Sequence, residues 1–263
     1  MTLLSQRTAK PTPMHFTPSE TGTGQTFTPP PIKSNCSACH LKSVCLPSDM
    51  STPDITRLDH LQFARRKLKA GDTLYRAGDN FQFIYAVRSG TLRTDLSLAD
   101  GREQVSGFHI AGELMGLDGL ANDRHASSAT ALEDSEICAI PYNRLLEIGR
   151  DGVEIQQAIN KLMSREILRE HELMMLLGSM NAEERLAAFL LDLSNRLAAR
   201  GYSGREFHLR MSRAEIGSYL GLKLETVSRT FSAFQHKRLL EVDKRHVRII
   251  SIEDLQRVFE RLH

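Results

Sequence analysis

Glycine spacing constrains this chain more than any other feature. Gly78, Gly90, Gly101 and Gly112 recur about every eleven residues, with short apolar alternations such as F-I-Y-A-V and T-L-R-T-D-L between them. Many short strands separated by tight turns at that interval predict an antiparallel sandwich or roll. The turn signals A-G-D at 70–72 and 77–79 and A-D-G at 99–101 fit such connections. The pattern then changes. No glycine lies between Gly152 and Gly178, and apolar residues fall at 155, 159, 162, 163, 167 and 174. That is helical spacing over roughly seven turns. A helix this long with a narrow apolar stripe generally pairs with another helix.

The remaining C-terminal residues, 181–263, read as helices closed by a short strand pair. E-E-R-L-A-A-F-L-L-D-L opens the unit as an amphipathic helix, and L-L-E-V and V-R-I-I, separated by D-K-R-H, close it as a hairpin. Between them stands M-S-R-A-E-I-G-S-Y-L-G-L-K-L-E-T-V-S-R-T-F-S-A-F-Q, residues 211–235. Ser212 with Glu215 makes a capping box that fixes a helix start. Ile216 and Leu220 give that helix one apolar face, and Gly221 supplies the backbone turn that ends it. A second helix follows with Val227, Phe231 and Phe234 on its buried side. Two helices joined this way form a helix-turn-helix.

Glu225, Ser228 and Arg229 share the opposite face of the second helix at i, i+3 and i+4, near the end that enters a major groove. Arg229 has the donors for guanine O6 and N7, Glu225 the acceptor for cytosine N4, and Ser228 bonds a base edge or a phosphate. Lys244, Arg245 and His246 at the hairpin tip suit phosphate contacts from a wing. The competing use of Glu225 and Arg229 is a surface ion pair, which stabilises little. The formal net charge is only +2, so contact with double-stranded DNA rests on this local surface and not on bulk charge.

Three of the four cysteines, Cys36, Cys39 and Cys45, lie within ten residues, and the fourth is Cys138. The N-terminus lacks the apolar run of a signal peptide, and no stretch of 18 apolar residues occurs. A cytoplasmic location is expected, with no membrane contact, and clustered cysteines there are metal ligands or redox centres before they are disulfides. A four-iron cubane takes one thiolate per iron, and three on one loop plus a distant fourth suit it. A four-cysteine zinc site, which favours two close pairs, is the rival. No Ser/His/Asp set, nucleotide loop or paired carboxylates accompany the cysteines, so an enzyme is not expected.

The order of roll, long helix and winged helix-turn-helix resembles the family of the cyclic-AMP receptor protein and the fumarate-and-nitrate-reduction regulator (FNR). The stretches that carry the likeness are G-D-T-L-Y-R-A-G-D, Y-A-V-R-S-G-T, G-F-H-I-A-G-E-L-M-G, N-A-E-E-R-L-A-A-F and Y-L-G-L-K-L-E-T-V-S-R. They span roughly residues 36–255. The C-x2-C-x5-C spacing resembles the FNR branch specifically. It implies an oxygen-labile [4Fe–4S] cluster on Cys36, Cys39, Cys45 and Cys138, a homodimer when the cluster is bound, palindromic sites with T-T-G-A-T half-sites, and contact with RNA polymerase. His40 and Val44, which flank two of the cysteines, depart from the family pattern.

Nucleotide-binding relatives carry Gly-Glu followed by Arg-Ser/Thr-Ala. Here Gly112-Glu113 is present, but R-H-A-S at 124–127 puts Arg124 one place out of register. A cyclic-nucleotide-responsive regulator with structural zinc or no metal is the alternative function.

The expected architecture is therefore α+β. A disordered tail (1–35), whose proline- and threonine-rich sequence buries too little to fold, precedes a cysteine-rich cluster loop (36–50). A β-roll sensory domain (51–150), a dimerisation helix (151–180) and a winged helix-turn-helix domain (181–263) follow. On the helix, Ile159, Met163, Ile167 and Met174, with Glu166 and Glu170 on or beside them, are the expected dimer contacts. Facing carboxylates in a parallel dimer would repel and leave its stability finely balanced. Pairing of Glu166 and Glu170 with Arg165 and Arg169 is the alternative.

Overall fold

The computed structural model describes residues 35–46, 50–61, 63–98, 100–150 and 153–259. The expected disordered tail lies outside the described residues except for Asn35. A single helical turn, α1 (Lys42–Cys45), and a short helix, α2 (Thr52–Asp59), precede the first strand. Helix α2 replaces the strands expected from residue 51. Ser51 caps it by accepting from the Asp54 backbone N–H at 3.3 Å, and proline stands in its first turn.

Eight strands then build two antiparallel sheets of four. They are β1 (Ala64–Leu68), β2 (Thr73–Tyr75), β3 (Phe83–Ser89), β4 (Thr91–Ser97), β5 (Glu103–Ile110), β6 (Leu114–Met115), β7 (Ser128–Ala131) and β8 (Ser135–Pro141). The sheet orders are β1-β8-β3-β6 and β2-β7-β4-β5. Their inner faces share a core that includes Leu68, Leu74, Leu92 and Ile137. Strand β8 alternates along its length. Ile137 and Ala139 are buried inward, so Cys138 between them projects from the outer face.

Helix α3 (Tyr142–Arg150) leads to the long helix α4 (Val153–Ser179), 27 residues in all. In the C-terminal unit, α5 (Ala182–Ala198) begins at a capping box between Asn181 and Glu184. Next come β9 (Glu206–His208), α6 (Arg213–Leu220), α7 (Leu224–His236), β10 (Leu240–Asp243), β11 (His246–Ile249) and α8 (Ile252–Phe259). Strands β10 and β11 form the expected hairpin. β9 joins them as a third strand that sequence periodicity did not reveal, because three residues are too few to show a period.

One core runs between the two units. Val105 and Phe108 of β5 are buried together with Phe189, Leu190, Ile216 and Leu220 of α5 and α6. The Phe108 ring lies 5.3 Å from that of Tyr219 and 6.1 Å from that of Phe189. Polar contacts reinforce the junction. Ser218 Oγ accepts from the Val105 N–H at 2.9 Å, and Arg93 donates to Glu215 at 2.6 Å. The roll thus carries the C-terminal unit on its β4–β5 hairpin.

Candidate functional site

The helix-turn-helix follows from its sequence almost residue by residue. Glu215 accepts from the Ser212 N–H at 2.6 Å, and Ser212 Oγ accepts from the Glu215 N–H at 3.2 Å. Gly221 ends α6 in the left-handed region at φ 62°. Val227, Phe231 and Phe234 pack α7 into the core. Glu225, Ser228 and Arg229 emerge together on its exposed face. Glu225 and Arg229 form no ion pair among the described residues, so their charged ends remain available to a ligand.

At the wing, β10 and β11 are joined by Lys244 and Arg245 alone, with Lys244 at φ 55°. Lys244 and Arg245 are exposed at this tip, although Arg245 also donates to the Arg210 carbonyl at 3.1 Å. His246 differs from expectation. It opens β11, is half-buried and meets Glu206 at 3.0 Å, because β9 brings that carboxylate alongside.

The four cysteines converge from two places. Cys36, Cys39 and Cys45 sit on a tight loop whose turns are closed by Cys39 N–H donating to Cys36 O and by Val44 N–H donating to Leu41 O. Asp59, at the end of α2, anchors it by accepting from the Ser37 N–H at 3.1 Å and from the Ser37 hydroxyl. The loop lies over the outer face of the β1-β8-β3-β6 sheet, where Cys138 projects. All four thiols line one cavity of about 100 Å³, walled by apolar residues such as Leu61, Ile84 and Ile140. Burial, followed by the nearby Cys45 thiol and Asp59, pushes the Cys36 thiol up to about 12. Burial and Cys138 push Cys45 up to about 12. Thiolates in this cavity are therefore disfavoured until a cationic centre offsets their charge.

Four thiols facing one cavity are a donor set that a four-iron cluster takes at one thiolate per iron, and that a four-cysteine zinc site takes as well.

Helix α4 divides its work along its length. Ile155, Ala158, Ile159 and Leu162 wall the cysteine cavity. Ile159 therefore faces the roll and not the outer stripe. Beyond it, Met163, Ile167 and Met174 are exposed at 37%, 54% and 61%, and Glu170 stands exposed among them. Glu166 departs from the expected stripe. It is half-buried beside Glu113, 3.7 Å from Arg169, and burial raises its carboxyl against the opposing pull of Arg169.

A buried carboxylate of note is Glu113, in the turn between β5 and β6. It meets Arg196 of α5 at 2.6 Å, Arg200 just past the end of α5 at 2.7 Å, and Arg169 of α4 at 3.5 Å. Burial alone would raise this carboxyl. Arg196 foremost, then Arg169 and Arg200, outweigh burial and hold it down to about 2. In the sequence Glu113 stands out only as half of a nucleotide motif. Its arginine partners lie 83 and 87 residues away, beyond any local signal.

The geometry of the rest of that motif departs from nucleotide binding. Arg124 is exposed and donates to the Gly78 carbonyl at 2.7 Å. His125 is buried, stacked on Tyr75 at 3.9 Å, with Tyr85 beyond, so aromatic rings occupy part of the interior of the roll.

A cyclic nucleotide-binding domain matches residues 65–151, and a Crp-like helix-turn-helix domain matches residues 184–258. The chain is 48% identical over 231 residues to the transcriptional regulatory protein btr of Bordetella pertussis, covering 87% of this chain and 94% of that protein. It is 44% identical over 218 residues to the transcriptional activator protein FnrA of Stutzerimonas stutzeri, covering 83% and 89%. Among solved structures, FixK2 from Bradyrhizobium japonicum superposes with a TM-score of 0.69 at 28% identity, covering 74% of this chain and 96% of that one. With a cyclic nucleotide-binding roll, a long helix and a DNA-reading helix-turn-helix in that order, the chain belongs to the Crp/FNR family and is a transcription regulator of the FNR/Anr type.

Proposed function

We propose that the chain is an oxygen-responsive regulator in which Cys36, Cys39, Cys45 and Cys138 hold a [4Fe–4S] cluster, and that cluster-dependent dimerisation governs DNA binding. One observation carries this reading: thiols from a short loop and from a strand about a hundred residues later line a single apolar cavity. When bound, the cluster supplies a centre that oxygen destroys.

The chain's own residues translate its presence. The cysteine loop packs on the roll through Asp59 and through Val44, which lies against Gly112. The first turns of α4 form another wall of the same cavity. Order in the loop thus bears directly on the helix that presents Met163, Ile167, Glu170 and Met174. Pairing these stripes in a homodimer buries exposed apolar surface at about 25 cal/mol per Å², while apposed Glu170 carboxylates oppose it. Two recognition helices would then stand about 34 Å apart, one helical turn of DNA. Each would present Glu225, Ser228 and Arg229 to a TTGAT-type half-site, with Lys244 and Arg245 on phosphates. The dimer is also the form expected to meet RNA polymerase.

The cyclic-nucleotide alternative has little support, because Glu113 is spent on arginines and the stacked rings of Tyr75 and His125 occupy part of the roll interior. The test is anaerobic purification, iron and sulfide analysis, and DNA binding before and after timed air exposure. A brown protein that bleaches in air and releases DNA is expected. Stoichiometric zinc in a colourless protein, or equal DNA affinity in both states, would refute the proposal.

A further inference from the structure

We infer that the cleft between the cysteine loop, α4 and α5 is a binding site for a small anion of the phosphate class. It has a volume of about 430 Å³, within the range of small-molecule sites. Four guanidiniums line it, Arg165 and Arg169 from α4, Arg196 from α5 and Arg200 from the turn just past α5, against two carboxylates, Glu113 and Glu166. Glu113 occupies Arg196 and Arg200.

The other two arginines have donors to spare. Arg169 lies 3.5 Å from Glu113 and 3.7 Å from Glu166, longer than ordinary N–H···O hydrogen bonds. Arg165 is exposed at the mouth, and no carboxylate among the described residues is within ion-pair distance of it. Two more guanidiniums than carboxylates in a half-enclosed cleft match an anion with two charges, and the arginine fork bonds phosphate oxygens in pairs. Val44 and Cys45 also line the cleft. Anion binding and the order of the cysteine loop are therefore coupled, each changing the other by the same factor. The site itself does not depend on a cluster being present.

Titration calorimetry on the full chain at low salt tests this, with inorganic phosphate, inorganic pyrophosphate and glycerol 3-phosphate as separate probes. Saturable binding of at least one probe at one site per chain is expected. It should weaken at least tenfold in Arg165→Ala/Arg169→Ala and remain unchanged in Arg102→Ala/Arg257→Ala, which removes equal charge from distant exposed positions. Arg165→Glu, at an exposed position that does not threaten folding, should lose more than Arg165→Ala. Preference for glycerol 3-phosphate would assign a phosphorylated metabolite, and preference for either inorganic probe a free anion. No saturable binding of any probe, or equal weakening in the two double variants, overturns the site.

Discussion

At Glu113 a single carboxylate ties the roll to α4 and α5, and its charge state should be visible in stability. Its folded value of about 2 lies below the ordinary 4.5. The contribution is therefore complete above about pH 4.5 and disappears as pH falls toward 2, an effect of about 3 kcal/mol. His109, buried and pushed down to about 4 from 6.5, acts in the same direction over a higher window, since its protonation favours the unfolded chain. Urea unfolding between pH 7 and 3 should show stability falling first with His109 and then with Glu113. Glu113→Gln should flatten the lower part of that curve and lower stability at pH 7, because it leaves buried guanidiniums unpaired. On α7, Arg229→Ala is expected to lose about 1–3 kcal/mol of discrimination at one base pair. Affinities for sites substituted base by base would reveal this, and uniform weakening on every sequence would deny Arg229 a reading role. The exposed triad of Glu225, Ser228 and Arg229 was legible in sequence because capping and helical spacing are local. The partners of Glu113 were not, because docking alone brings them near.

Among the elements, the cysteine loop and α4 are the two whose meeting matters most. Gly112 makes that meeting possible. It sits at φ +89°, and a Cβ there would lie 2.4 Å from the Val44 side chain. Gly112→Ala should lift the loop from the roll and lower stability by about 1–3 kcal/mol. Faster alkylation of Cys45 by iodoacetamide in the metal-free chain would report the lifted loop. The apolar spacing along α4 predicts a helix with one stripe, and the helix is there. Its stripe is split, however. Ile159 and Glu166 turn inward, while Met163, Ile167, Glu170 and Met174 face outward. If the outer face pairs in the dimer, Ile167→Glu should abolish dimerisation measured by sedimentation, and Glu170→Ala should strengthen it. A monomer–dimer equilibrium that neither substitution shifts would remove this face from the interface.

For the whole molecule, the shared core between β5 and the C-terminal helices makes the roll and the DNA-reading unit one mechanical body. Phe108→Ala should cost about 3–5 kcal/mol and separate thermal unfolding into two transitions, one for each unit. A single transition with an unchanged midpoint would show that the junction carries little energy. The sequence by itself determined the kinds of elements and their order. It also determined the capped start of α6, the left-handed stop at Gly221, and the cysteine spacing. Each of these depends on periodicity, capping or turn preference within a few residues. Only the tertiary structure decided that Cys138 faces the loop of Cys36, Cys39 and Cys45, that Glu113 binds Arg196 and Arg200, and which residues of α4 look inward. Those outcomes depend on which faces pack together, and burial energy selects such pairings across the whole chain without leaving a mark in any local stretch.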